Sequence, residues 1–214
     1  MAEVDLKDVS REGKSKRFEI AAGITLTFFA AILAISDLGG SKYGDDEILG
    51  ANAKASVYAW YQSKSIKQSL AEGQRDLVMV LLDSGSIKKE EIENLKSSLT
   101  KLDADIARYV KEKKELMLGS AKVGKANWIQ DIEGEMGKVI GAKEWEDKLD
   151  VLGRAGDWFD LSMLFMQLSL VFGAISLVLR GDRMKWIFYG SMVVLGFVGA
   201  GLTCRAFYIA MSVN

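Results

Sequence analysis

Hydrophobic and polar positions are segregated along this chain. Three apolar stretches, residues 18–38, 161–179 and 186–202, stand apart from a charged stretch of more than a hundred residues between the first two. About 20 apolar residues in a helix cross the hydrocarbon core of a bilayer, and each stretch is of that order. The pattern predicts an all-α integral membrane protein with three transmembrane helices and one extramembrane helical domain. The expected layout is a basic tail over 1–17, spans over 18–38, 157–180 and 186–205, the domain over 39–156, a loop over 181–185 and a C-terminal tail over 206–214.

The domain reads as helical. From about residue 46 to 83, positions spaced alternately by three and four form a row: Leu49, Asn52, Ser56, Ala59, Ser63, Ile66, Leu70, Gly73, Leu77 and Val80. That is coiled-coil spacing, small and polar in its first half and apolar in its second. Ser84-Gly85-Ser86 interrupts the row, and Ser86 is placed to cap a following helix. A second seam runs through Ile92, Leu95, Leu99, Leu102, Ile106 and Tyr109, with Lys88, Lys89, Glu90, Glu91, Lys111, Glu112 and Lys113 as a solvated charged face. Two such helices across a three-residue turn predict an antiparallel, coiled-coil-like hairpin. At about 1.5 Å per residue it would extend about 50 Å from the bilayer.

Gly119, Gly124, Gly134, Gly137 and Gly141 punctuate the next stretch, where short helices close to the membrane surface are expected. Trp128, Ile129, Ile132, Met136 and Ile140 would cover the base of the hairpin or lie in the interface. Trp145, Leu149 and Leu152 mark an amphipathic helix leading into the second span.

Charge gives the spans a direction. Lys7, Arg11, Lys14, Lys16 and Arg17 precede the first span, and Arg180, Arg183 and Lys185 outnumber Asp182 between the second and third. Both segments are expected on the cytoplasmic side, because basic residues accumulate there. Residues 40–156 and the C-terminus would then lie outside. The first apolar run exceeds the roughly 7–15 residues of a signal-peptide core, which favours a retained anchor. Trp158, Phe159 and Trp186 fall at expected membrane edges, and Arg205 is placed to snorkel.

Composition narrows the chemistry. The 214 residues contain no His, no Pro and one Cys, Cys204. The commonest general base and metal ligand is therefore missing, and long uninterrupted helices are permitted. A net charge of −1 gives no electrostatic basis for binding nucleic acid. Asp131, Glu133 and Glu135 lack calcium-loop spacing, and the glycines near them lack the strand and the Lys-Ser/Thr of a phosphate loop. No enzyme, metal site or cofactor is expected.

The segment Tyr58-Ala59-Trp60-Tyr61-Gln62-Ser63-Lys64-Ser65-Ile66-Lys67 is the least ordinary in the chain. Its aromatics cover most of a helix circumference, and Lys64 lies one turn from Trp60, within cation–π reach. Tyr58, Trp60, Tyr61, Gln62, Lys64 and Lys67 are the candidate partner interface; packing against residues 118–145 is the competing reading. Together with Asn52, Ala55 and Ser56 before it and Gln68 after it, the segment resembles the signature of a bacterial membrane family described as domain of unknown function 4337. The basic tail, early span, charged middle and paired C-terminal spans are similar too. In this chain the family's aromatics are permuted to Tyr58, Trp60 and Tyr61. The resemblance implies a bacterial inner-membrane location and implies no activity.

Small residues four apart mark candidate helix-packing positions: Ala30 and Ala34, Ser169 and Gly173, Gly196 and Ala200. Such spacing lets helices approach closely in lipid, within one chain or between subunits. Gln167 is the deepest polar residue of the spans, and an interhelical hydrogen bond is expected of it. Scarce charge within the spans argues against a proton relay. The expected function is a non-catalytic accessory or scaffolding subunit in a bilayer, associating with a protein partner or its own copies. A homo-oligomeric channel or mechanically gated pore is the alternative.

Overall fold

The computed structural model describes residues 6–85 and 87–212. Five α-helices account for nearly all of it: α1 Leu6–Asp83, α2 Lys89–Leu118, α3 Ser120–Val123, α4 Ala142–Val178 and α5 Asp182–Met211. A 3-10 turn, Lys125–Asn127, and two short strands, β1 Asp131–Ile132 and β2 Glu135–Met136, complete it. Three of the helices, α1, α4 and α5, are long and apolar enough to cross a membrane. Ser86, the expected cap, lies outside the described residues.

The helix that carries the first apolar stretch does not stop at the glycines that follow it. Helix α1 continues through Gly39-Gly40 as a single helix of 78 residues. With no Pro to remove a backbone donor, two glycines cost only about 1 kcal/mol each in helix propensity. Their bare faces also receive neighbours. A Cβ on Gly39 would lie 2.7 Å from the rings of Phe159 and Phe207.

The chain divides into two compact units, Met1–Glu47 with Asp150–Asn214, and Ile48–Leu149. In the first unit, α1, α4 and α5 pack around two apolar clusters. Phe29, Met166 and Met192 form one; Tyr43, Leu152, Ala155, Phe159, Ala206 and Ala210 form the other. Phe159, expected at a membrane edge, is buried in the second cluster, where it meets Phe207 edge-on at 5.0 Å and stacks on Tyr43 at 5.9 Å. Trp158 carries the Arg205 guanidinium over its ring at 3.9 Å.

In the second unit, the glycine-rich stretch departs from the expected short helices. Only α3 and the 3-10 turn are helical there, and β1 pairs antiparallel with β2. Glu133 and Gly134 both have positive φ, 53° and 84°, as the two central residues of a tight type I′ hairpin turn require. The Asp131 carboxylate accepts a hydrogen bond from the Gly134 amide at 2.6 Å, closing the turn.

Candidate functional site

The face that α1 turns toward α2 is not the row that sequence spacing picks out. Lys64 Nζ lies 2.8 Å from Glu112 Oε2, and Lys113 Nζ sits over the Tyr61 ring at 5.5 Å. Arg108 approaches the other Glu112 oxygen at 3.6 Å and Asp105 at 3.0 Å. The enclosed positions of α1 in this unit include Gly50, Val57, Tyr61, Lys64, Gln68, Ala71, Arg75 and Val78. From Val57 on they also alternate by three and four, but they sit about 150° around the helix from the expected seam at 3.6 residues per turn. Leu49, Ile66, Leu70, Leu77 and Val80 are left outward at 66%, 62%, 62%, 60% and 65% exposure. The expected first seam is therefore corrected: a polar face of α1 meets the charged end of α2.

The aromatic segment is divided between these two faces. Tyr61 and Lys64 turn inward, whereas Tyr58, Trp60, Gln62 and Lys67 are exposed. The charge of Lys64 goes to α2 rather than to the Trp60 ring. On α2 the expected seam positions Ile92, Leu95, Leu99, Leu102, Ile106 and Tyr109 are all half-buried. Glu112 is an exception to the solvated face, being buried beside Lys64.

One buried group was not foreseen. Glu115 is fully enclosed. One of its oxygens accepts the Ser120 hydroxyl at 2.7 Å, and the other accepts the Ile129 and Gln130 amides at 2.8 and 2.9 Å. Ser120 in turn accepts the Val139 amide at 3.0 Å, and its carbonyl takes the Trp128 indole N–H at 2.7 Å. A buried carboxylate needs such donors, and here they tie the loop to the end of α2. Continuing the second seam to Lys113 and Leu116 puts Glu112 and Glu115 one position to its side, a signal the charged composition masks.

In the first unit, Ser169 and Gly173 are buried on α4 and Gly196 on α5, Ala30 and Ala200 are half-buried, and Ala34 is exposed. Ser169 donates to the Met192 carbonyl at 2.7 Å. A Cβ on Gly196 would collide with the Phe29 ring, and one on Gly173 with Met192. Ser162 is a hydroxyl node between helices: it donates to the Gly199 carbonyl at 2.9 Å, lies 2.6 Å from Thr203, and accepts from Ser36 at 3.3 Å. Gln167, expected to bond a neighbouring helix, is exposed on α4.

Among the described residues no group of three or more Cys, Asp or Glu is placed to hold a metal ion. A shallow open groove of about 400 Å³ runs along Gln74, Leu77, Val78, Ser98, Lys101 and Leu102. The chain is thus defined as an all-α protein with three helices able to span a membrane and a charged helical unit between the first and second. It belongs to the family whose model, described as Domain of unknown function (DUF4337), matches residues 18–209. No match was found among curated proteins or among solved structures.

Proposed function

We propose that the chain is a non-catalytic, membrane-anchored accessory or scaffolding subunit. The three apolar helices cross a bacterial inner membrane, with the basic N-terminal tail and the Arg180–Lys185 segment on the cytoplasmic side. The unit between the first two spans lies outside, with α1 and α2 as an antiparallel hairpin. The protein associates through this hairpin and its spans with a partner complex or with its own copies.

The observation carrying this reading is the exposed apolar row on α1. Branched apolar side chains, Leu49, Ile66, Leu70, Leu77 and Val80, exposed along one face of a helix, mark an interaction surface. Exposed Gln167, inside the apolar part of α4, supports association at a second level. Hydrocarbon offers its amide no partner, whereas a polar group on a neighbouring helix does. The sequence also lacks His, and its lone Cys204 is exposed on α5.

Mild detergent extraction from native membranes followed by identification of co-purifying chains tests the reading. A stoichiometric assembly, of this chain alone or with another, is expected. A solitary chain, or single-channel currents from the reconstituted protein, contradicts it. Protease added to intact spheroplasts should cleave within residues 40–156; protection there would reverse the topology.

A further inference from the structure

We infer that the outward face of α1 pairs with the same face of a second copy, parallel and in register. This deepens the association reading above and rests on it. The row has the spacing of a coiled-coil repeat, and its large apolar side chains Leu49, Ile66, Leu70, Leu77 and Val80 are exposed. Its core positions alternate as Leu49, Ser56, Ser63, Leu70, Leu77 and Asn52, Ala59, Ile66, Gly73, Val80, and α1 buries a different face within the unit.

Three features select the second copy. The row is segregated, with small or polar residues from Asn52 to Ser63 and, Gly73 apart, branched apolar ones from Ile66 to Val80. A parallel in-register pair sets each half against its own kind and brings Asn52 to Asn52. An antiparallel pair over the same stretch would set Leu77 against Asn52, Leu70 against Ala59 and Ile66 against Ser63.

The flanking positions agree. In a parallel pair each flanking residue on one side meets the residue five positions on in the other copy. Gln62 then reaches Lys67 of the second copy, Ala55 leaves room for its Trp60, and Asp76 lies beside its Leu81. No like charges meet. All six of these side chains are exposed, so the exposed half of the aromatic segment becomes the rim of this interface.

The area suffices. Five large apolar side chains from each copy, at roughly 100 Å² each, bury about 1,000 Å², the lower bound for a specific interface. Ile48, Trp60 and Leu81, also exposed, add to it.

The test uses the full chain in native membranes. Exposed Cys204 is replaced by Ser, and Ile66→Cys, Leu77→Cys or, on the exposed side of α2, Asp103→Cys is introduced. After mild oxidation, Ile66→Cys and Leu77→Cys should shift most of the chain to a covalent dimer, and Asp103→Cys should not. Before oxidation the first two should react more slowly with a maleimide. If they are protected from maleimide without cross-linking, another protein covers the face, and self-pairing is overturned while association stands. If they react freely and do not cross-link, the face is bare and both readings fall. Cross-linking at Asp103→Cys equal to that at Ile66→Cys marks random collision and also overturns the pairing.

Discussion

Lys64 and Glu112 form an ion pair of 2.8 Å with only 19% and 9% of their side chains exposed. It joins the last third of α1 to the charged end of α2. Breaking a buried pair from one side strands a charge, at a cost of about 3 kcal/mol. Glu112→Ala should therefore lower the unfolding free energy by about that amount. The apolar double variant Lys64→Met/Glu112→Leu should recover most of it, because Arg108 keeps Asp105 as a partner. Unfolding in detergent, followed by loss of helical signal, checks both. Equal destabilisation by the single and double variants would show that the pair is not what holds this contact.

The Glu115 knot gives a sharper contrast. Glu115→Ala leaves the Ser120 hydroxyl, the buried Gln130 amide and the half-buried Ile129 amide without their acceptor, each buried group worth about 1–3 kcal/mol. The segment between Gly119 and Gly141 should become the first site of proteolytic cleavage. Glu115→Gln keeps one carbonyl oxygen for the two amides and should be cut at an intermediate rate. Unchanged cleavage in Glu115→Ala would contradict the role given to this carboxylate.

Gly196 receives the Phe29 ring where α5 meets α1. Overpacking there costs typically about 1–3 kcal/mol, so Gly196→Leu should lower the melting temperature. The compensating pair Gly196→Ala/Phe29→Leu should be milder than Gly196→Leu alone. A smaller loss follows from Ser162→Ala, which removes bonds to Gly199, Thr203 and Ser36. Hydroxyl bonds between membrane helices average about 0.6 kcal/mol. Thermal unfolding in a single detergent ranks the variants.

The helices were legible in the sequence because long apolar runs and the absence of Pro leave few alternatives. The seam of α2 was legible for the same reason: apolar periodicity on a charged helix has one face to bury. On α1 the periodicity identified an amphipathic face without identifying what it meets. The unit instead buries Tyr61, Lys64 and Gln68, and periodicity of apolar residues cannot register a polar contact. The β-turn was hidden because Glu133-Gly134 departs from the Asn-Gly and Asp-Gly pairs that announce such turns. The two roles inside the aromatic segment were unreadable, since three aromatics in four residues give no preferred side.

The mass of the assembled particle tests the account most directly. In mild detergent the wild-type chain should have at least twice the mass of one chain. Leu70→Asp/Leu77→Asp, which alters only exposed positions of α1, should have the mass of one chain with its melting temperature essentially unchanged. A wild-type particle of one chain, or a double variant that stays assembled, would contradict association through this face.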